Sequence, residues 1–157
     1  ENLFAGRCDV YTTDASGLSS TRAAAADPSK WLVLPEIISK EPLGPLVRHG
    51  DHQWGDVVRW SLNTMIIAEE LGVTSENADE MAASTKNEEV KRLLGVTGSY
   101  GEMLELSNDF AYQIITQIGN YSESYEANVG PDTPLEIGRG LNALWTDGGI
   151  LYAPPFR

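Results

Sequence analysis

Asp14 is the residue best placed to do chemistry. It follows Cys8-Asp-Val-Tyr-Thr-Thr13, a run rich in β-branched and aromatic residues that reads as a strand, and it precedes an Ala- and Ser-rich helical pattern over 15–26. A carboxylate at the C-terminal end of a strand in an open α/β sheet faces the crevice where ligands bind. Such a group can accept charge-assisted hydrogen bonds from an ammonium ion. The same position is also a natural helix N-cap, and the local sequence leaves both roles open.

Other reactive residue types do not assemble into a site. His49 and His52 flank Gly50-Asp51 and read as a solvated loop; as the chain's two histidines, with one cysteine, they provide no zinc-ligand spacing. The acidic pairs Glu69-Glu70, Asp79-Glu80 and Glu88-Glu89 are neighbours in sequence. Adjacent helix positions do not face each other, so these pairs read as solvated helix faces. No Ser/His/Asp set and no glycine-rich phosphate loop in a strand-to-helix context is present. Neither a metal nor a cofactor is expected. The four tryptophans, Trp31, Trp54, Trp60 and Trp145, read as core anchors.

The elements that must position Asp14 alternate at first and are then mostly helical. The opening residues 1–6 read as the last turn of a helix ending on Gly6. After the helix over 15–26, Asp27-Pro28 is a stop signal. Trp31-Leu-Val-Leu34 continues past Pro35 into Glu36-Ile-Ile38 as a second strand, kinked or at an edge. The proline- and glycine-rich stretch 39–45 marks a turn or crossover, and 46–48 is short and extended. The spacing of Trp54, Val57, Val58, Leu62, Met65 and Ile66 predicts a helix over 53–71, closed by Gly72. Shorter helices are predicted at 76–83, 88–94 and 108–118, with Phe110, Ile114 and Ile118 as an apolar stripe. A last helix is predicted over 135–145, weakened by Gly138 and Gly140. The tail 150–157 is extended and apolar and needs a surface to cover.

Composition narrows the partners. The 157 residues, with 41% hydrophobic and 22% charged, are enough for a packed domain. A formal charge of −12 and a pI near 4.4 repel phosphate backbones, so nucleic acid is not an expected partner. No apolar run approaches the roughly 20 residues that span a bilayer.

Three blocks together resemble a family. They are Gly6-Arg-Cys-Asp-Val-Tyr-Thr-Thr-Asp14, Leu34-Pro-Glu-Ile-Ile-Ser-Lys-Glu-Pro-Leu-Gly-Pro45, and Gly140-Leu-Asn-Ala-Leu-Trp145 with Gly148-Gly-Ile-Leu-Tyr-Ala-Pro-Pro155. They resemble the general L-amino-acid-binding proteins of ABC transporters, members of solute-binding protein family 3. The resemblance implies an α/β fold, the C-terminal part of a two-lobed type II periplasmic binding protein, helix-rich in its second half. Residues 1–40 would end the second lobe, 41–45 would be the hinge crossover, and 46–157 would return to the first lobe with a helical extension. The family motif makes Asp14 the ligand for an α-amino group, with Gly6 as the motif glycine and Asp9 as a structural acid.

The expected role is the substrate-binding component of an importer, periplasmic and not an enzyme. It would capture L-amino acids between two lobes and deliver them to an ABC transporter permease. The rest of the pocket, including its carboxylate-binding arginine, would come from an N-terminal half of the same protein or from a second chain completing the fold. An enzyme on the same scaffold, such as a dehydratase, and a non-binding interaction module remain as alternatives.

Overall fold

The computed structural model describes residues 2–157, so Glu1, the first residue of the expected opening turn, lies outside them. Among the described residues there are six α-helices: α1 (Ala15–Ala23), α2 (His52–Glu70), α3 (Ala78–Ser84), α4 (Glu88–Leu93), α5 (Phe110–Ile118) and α6 (Tyr121–Asn128). Short 3-10 turns lie at Pro28–Lys30, Glu102–Leu104, Gly140–Asn142 and Trp145–Asp147. The chain divides into two compact units, one comprising the residues up to Gly44 with Glu126–Gly138, the other Pro45–Tyr125 with Arg139–Arg157.

The second unit holds the apolar core. Asp51 caps α2 by accepting a hydrogen bond from the Trp54 backbone N–H at 3.2 Å. Ile66, Ile67 and Ala68 are buried on this helix. Gly72 ends it in the left-handed region, φ +68°, where its N–H donates to the Glu69 carbonyl and that of Val73 to the Ala68 carbonyl. Gly95 ends α4 in the same way, φ +71°, with the Val96 N–H on the Lys91 carbonyl. α5 packs on α2 and α3 and buries Phe110, Ala111 and Ile115. The expected stripe is therefore rotated: Ile118 is exposed and Ile115 is fully buried.

The tail finds the surface it needs. Ala153 and Phe156 are buried, and the Phe156 ring meets those of Trp60, Tyr100 and Phe110 at centroid distances of 5.1, 5.4 and 6.1 Å. Arg92 Nε donates to the Phe156 carbonyl at 2.9 Å. Trp54 and Trp145 are exposed and Trp31 meets Phe4 outside the core, so of the four tryptophans Trp60 alone is the core anchor expected.

α6 was not anticipated by apolar periodicity, and a capping box builds it. Asn120 Oδ1 accepts from the Glu123 backbone N–H at 3.0 Å, and Glu123 Oε2 accepts from the Asn120 N–H at 2.8 Å. Asn120 also donates through Nδ2 to the Val73 carbonyl at 2.9 Å, which ties this cap to the end of α2.

The first unit is built differently. Gly6 lies in the left-handed region, and the Gly6 and Arg7 N–H groups donate to the Leu3 and Asn2 carbonyls, as at the closing turn of a helix. The expected strands at 8–13 and 31–38, and the one at 46–48 where the second unit begins, are extended chain without ladders; β pairing among the described residues is one isolated parallel bridge, Leu144 to Leu151, in the second unit. The physical reason is that a helix satisfies its own backbone N–H and C=O groups, whereas a strand needs a neighbour. Apolar side chains on these segments are correspondingly bare: Leu32 is 80% exposed and Leu46 98%.

The helix expected over 135–145 does not form. Glu136 and Gly140 both take positive φ, +52° and +48°, and only a 3-10 turn follows at Gly140–Asn142. Two glycines, each costing about 1 kcal/mol relative to alanine, act against this helix, and with Leu141 and Trp145 exposed the burial of Leu144 does not compensate.

Candidate functional site

Asp14 sits where extended chain turns into α1. Its backbone is extended, φ −60° and ψ 159°, and its side chain caps the helix. Oδ1 accepts from the Gly17 backbone N–H at 2.8 Å and from the Ser16 hydroxyl, while Thr13 Oγ1 donates to Oδ2 at 3.3 Å. The first turn can close this tightly because residue 17 is glycine. A Cβ there would lie 2.9 Å from both Asp14 Oδ2 and Thr13 Cγ2.

These donors set the charge. The Ser16 hydroxyl first, then the Gly17 N–H, hold the Asp14 carboxyl below its ordinary value, against a smaller opposing effect of desolvation. The folded-state value is depressed, so the cap's contribution is fully present above the unfolded value and is lost as pH falls through the folded one. Asp14 is therefore anionic at neutral pH. A carboxylate offers about four acceptor directions, and three donors engage it here, so capping leaves Oδ2 able to accept another.

The far end of α1 carries Arg22. Its Nη2 donates to Glu136 Oε2 at 2.6 Å and to the Leu135 carbonyl at 3.4 Å, within the same unit as Asp14. Ser19 is the buried residue of this helix.

The remaining candidates disperse. Asp9 is exposed, as are Cys8, His49 and His52, and His52 opens α2. No group of three His, Cys, Asp or Glu that could hold a metal occurs among the described residues. Glu69 departs from the solvated reading of its acidic pair. Arg139 Nη2 donates to both its oxygens at 2.9 and 3.0 Å, with the two side chains 17% and 14% exposed. The Arg139 guanidinium also lies 5.4 and 5.3 Å from the Tyr121 and Tyr125 ring centroids. Sequence reasoning missed this cluster because its members are far apart in the chain. The Asn120-to-Glu123 spacing was the local signal for α6.

No family model matches the chain. Curated relatives do, over essentially its whole length. It is 58% identical over 157 residues to the glutamate/glutamine/aspartate/asparagine-binding protein BztA of Rhodobacter capsulatus, and covers 46% of that protein. It is 53% identical over 155 residues to the putative amino-acid ABC transporter-binding protein YhdW of Escherichia coli, covering 99% of the chain and 46% of the relative. It is 55% identical over 155 residues to the general L-amino acid-binding periplasmic protein AapJ of Rhizobium johnstonii, covering 98% and 45%.

The chain thus spans about half the length of the curated relatives it matches. A solved ABC transporter periplasmic binding protein from Brucella ovis, with glutathione bound, superimposes with a TM-score of 0.94 at 48% identity, over 99% of this chain and 49% of that one. The extended segments without ladders are therefore parts of an α/β binding-protein fold. The chain is a relative of the amino-acid-binding proteins of ABC transporters and folds as one half, the C-terminal one, of a periplasmic binding protein.

Proposed function

We propose that the whole protein is the substrate-binding component of an ABC importer, that it captures L-amino acids in the periplasm, and that Asp14 grips the ligand ammonium. The observation that carries this reading is the pairing of 58% identity to an amino-acid-binding protein with an anionic, incompletely filled carboxylate at Asp14. One carboxylate oxygen holds the helix; the other is open to a ligand donor. A charge-assisted contact of this kind contributes about 1.5–3 kcal/mol.

The lobe assignment follows the same reading. Residues 1–40 complete one lobe, 41–45 cross over, and 46–157 return to the other apart from the stretch Glu126–Gly138, which packs in the same compact unit as the residues up to Gly44; the partner half supplies the group that meets the ligand carboxylate. Capture then works by closure, in which the ligand favours the closed arrangement and no bond is made or broken. The closed protein presents itself to a membrane permease. Glutathione, the molecule bound in the Brucella ovis protein, carries a free α-amino acid end, so a zwitterion grip suits it as well as an amino acid.

Calorimetric titration of the full-length protein with L-glutamate, L-glutamine, L-aspartate, L-asparagine and glutathione tests the reading. Micromolar or tighter binding of at least one is expected. No binding to any contradicts it, and consumption of a bound ligand, followed by mass spectrometry, would instead support an enzyme on this scaffold.

A further inference from the structure

We infer that Arg22 is a positioning residue for the ammonium grip, holding α1, and through it Asp14, by clamping onto an acceptor loop at 129–137. The inference rests on the reading of Asp14 given above.

α1 offers few large apolar side chains to pack. Its sequence is Ala-Ser-Gly-Leu-Ser-Ser-Thr-Arg-Ala, and Ser19 is its buried residue. Arg22 ties it to residues far away in sequence by two hydrogen bonds, to Glu136 Oε2 at 2.6 Å and to the Leu135 carbonyl at 3.4 Å. Arg22 is 21% exposed, so the clamp is partly shielded, and as a cation in the last turn it also suits the helix dipole.

The acceptor loop is closed by hydrogen bonds of its own. The Ile137 N–H donates to the Val129 carbonyl at 3.0 Å and the Thr133 N–H to the Gly130 carbonyl at 3.0 Å, closing the loop on itself. Thr133 Oγ1 accepts from the Leu135 N–H at 3.2 Å, and the Thr133 carbonyl accepts from Glu136 at 3.1 Å. Glu136 itself takes φ +52°, a conformation that a residue with a side chain rarely adopts and that persists only where its surroundings impose it. This strained residue is the one whose carboxylate meets Arg22.

The consequence is mechanical. A nine-residue helix is a rod about 13 Å long, so a tilt at Arg22 is carried to the cap at its other end. Ion pairs with an exposed partner add little to stability, so losing this one shifts Asp14 without unfolding the unit.

The test uses the full-length protein and two probes that differ by the ammonium group alone, L-glutamate and glutarate, in competition calorimetry. Wild type is expected to prefer L-glutamate, and Asp14→Asn to abolish the preference. Arg22→Gln and Glu136→Gln should each cut it about threefold to fivefold, the range an ion pair with an exposed partner can supply, with Tm changed by less than about 2 °C. The exchanged pair Arg22→Glu with Glu136→Arg should recover most of it. An unchanged preference in both single variants, an equal weakening of both probes, or no recovery in the exchanged pair overturns the inference while the Asp14 reading stands. A preference that survives Asp14→Asn removes that reading, and the inference with it.

Discussion

The helix around Ile115 and the extended chain around Leu32 are both runs of large apolar residues, and they have opposite fates. In Phe110–Ile118 the backbone satisfies its own hydrogen bonds, so three side chains can turn inward and be buried within the chain. In 31–38 the extended backbone does not satisfy itself and must turn to water or a neighbouring strand, and most of the large apolar side chains stay exposed. The same contrast separates the two units: every buried apolar residue lies in the second, and the candidate ligand contact lies in the first. Local hydrogen bonding decides which half of a shared fold looks complete by itself.

The contrast can be broken most forcefully from the buried side. Ile115→Ala should cost about 2–5 kcal/mol, since Ile115 is fully enclosed and the site has little room to collapse. The loss should be the same in the 157-residue chain and in the full-length protein, measured by urea unfolding. A smaller loss in the full-length protein would mean that its second unit is packed differently.

Leu32→Ala sharpens the same comparison. In this chain alone it should change stability by less than about 0.5 kcal/mol, as for an exposed residue. In the full-length protein, where a partner strand would cover it, the expected cost is about 2–3 kcal/mol. Equal effects in both would mean that the segment 31–34 stays uncovered. A smaller effect than that of Leu32→Ala in the full-length protein belongs to the cap of α6. Asn120→Ala removes one half of the capping box and the bond to Val73, and should cost about 1–2 kcal/mol by thermal unfolding. A neutral result would mean that α6 does not depend on its box.

Legibility in the sequence followed the same division. The helices that carry local signals were readable: α2 from its apolar spacing, Asp51 and Gly72, α4 from Gly95, and α1 from Asp14. The extended segments were recognisable as strand-like, but their pairing depends on atoms far away in sequence. The helix expected over 135–145 failed because its two glycines weaken it and, of Leu141, Leu144 and Trp145, Leu144 alone is buried. At the candidate site, the cap at Asp14 was legible to within a residue. The Arg22–Glu136 and Arg139–Glu69 pairs were not, because 113 and 69 residues, respectively, separate their members, and no local pattern marks such partners.

The most direct measurement is the affinity of the full-length protein for its tightest-binding amino acid, compared with that of Asp14→Asn, from pH 8 to pH 5. Asparagine keeps a side-chain oxygen that can cap α1, so the helix survives while the negative charge is lost. Asp14 is held ionised by Ser16 and Gly17, so wild-type affinity should be flat across this range. The variant should bind at least about tenfold more weakly throughout, the loss expected of a charge-assisted hydrogen bond. Equal affinities for the two proteins would contradict the assignment of Asp14 as the ammonium grip.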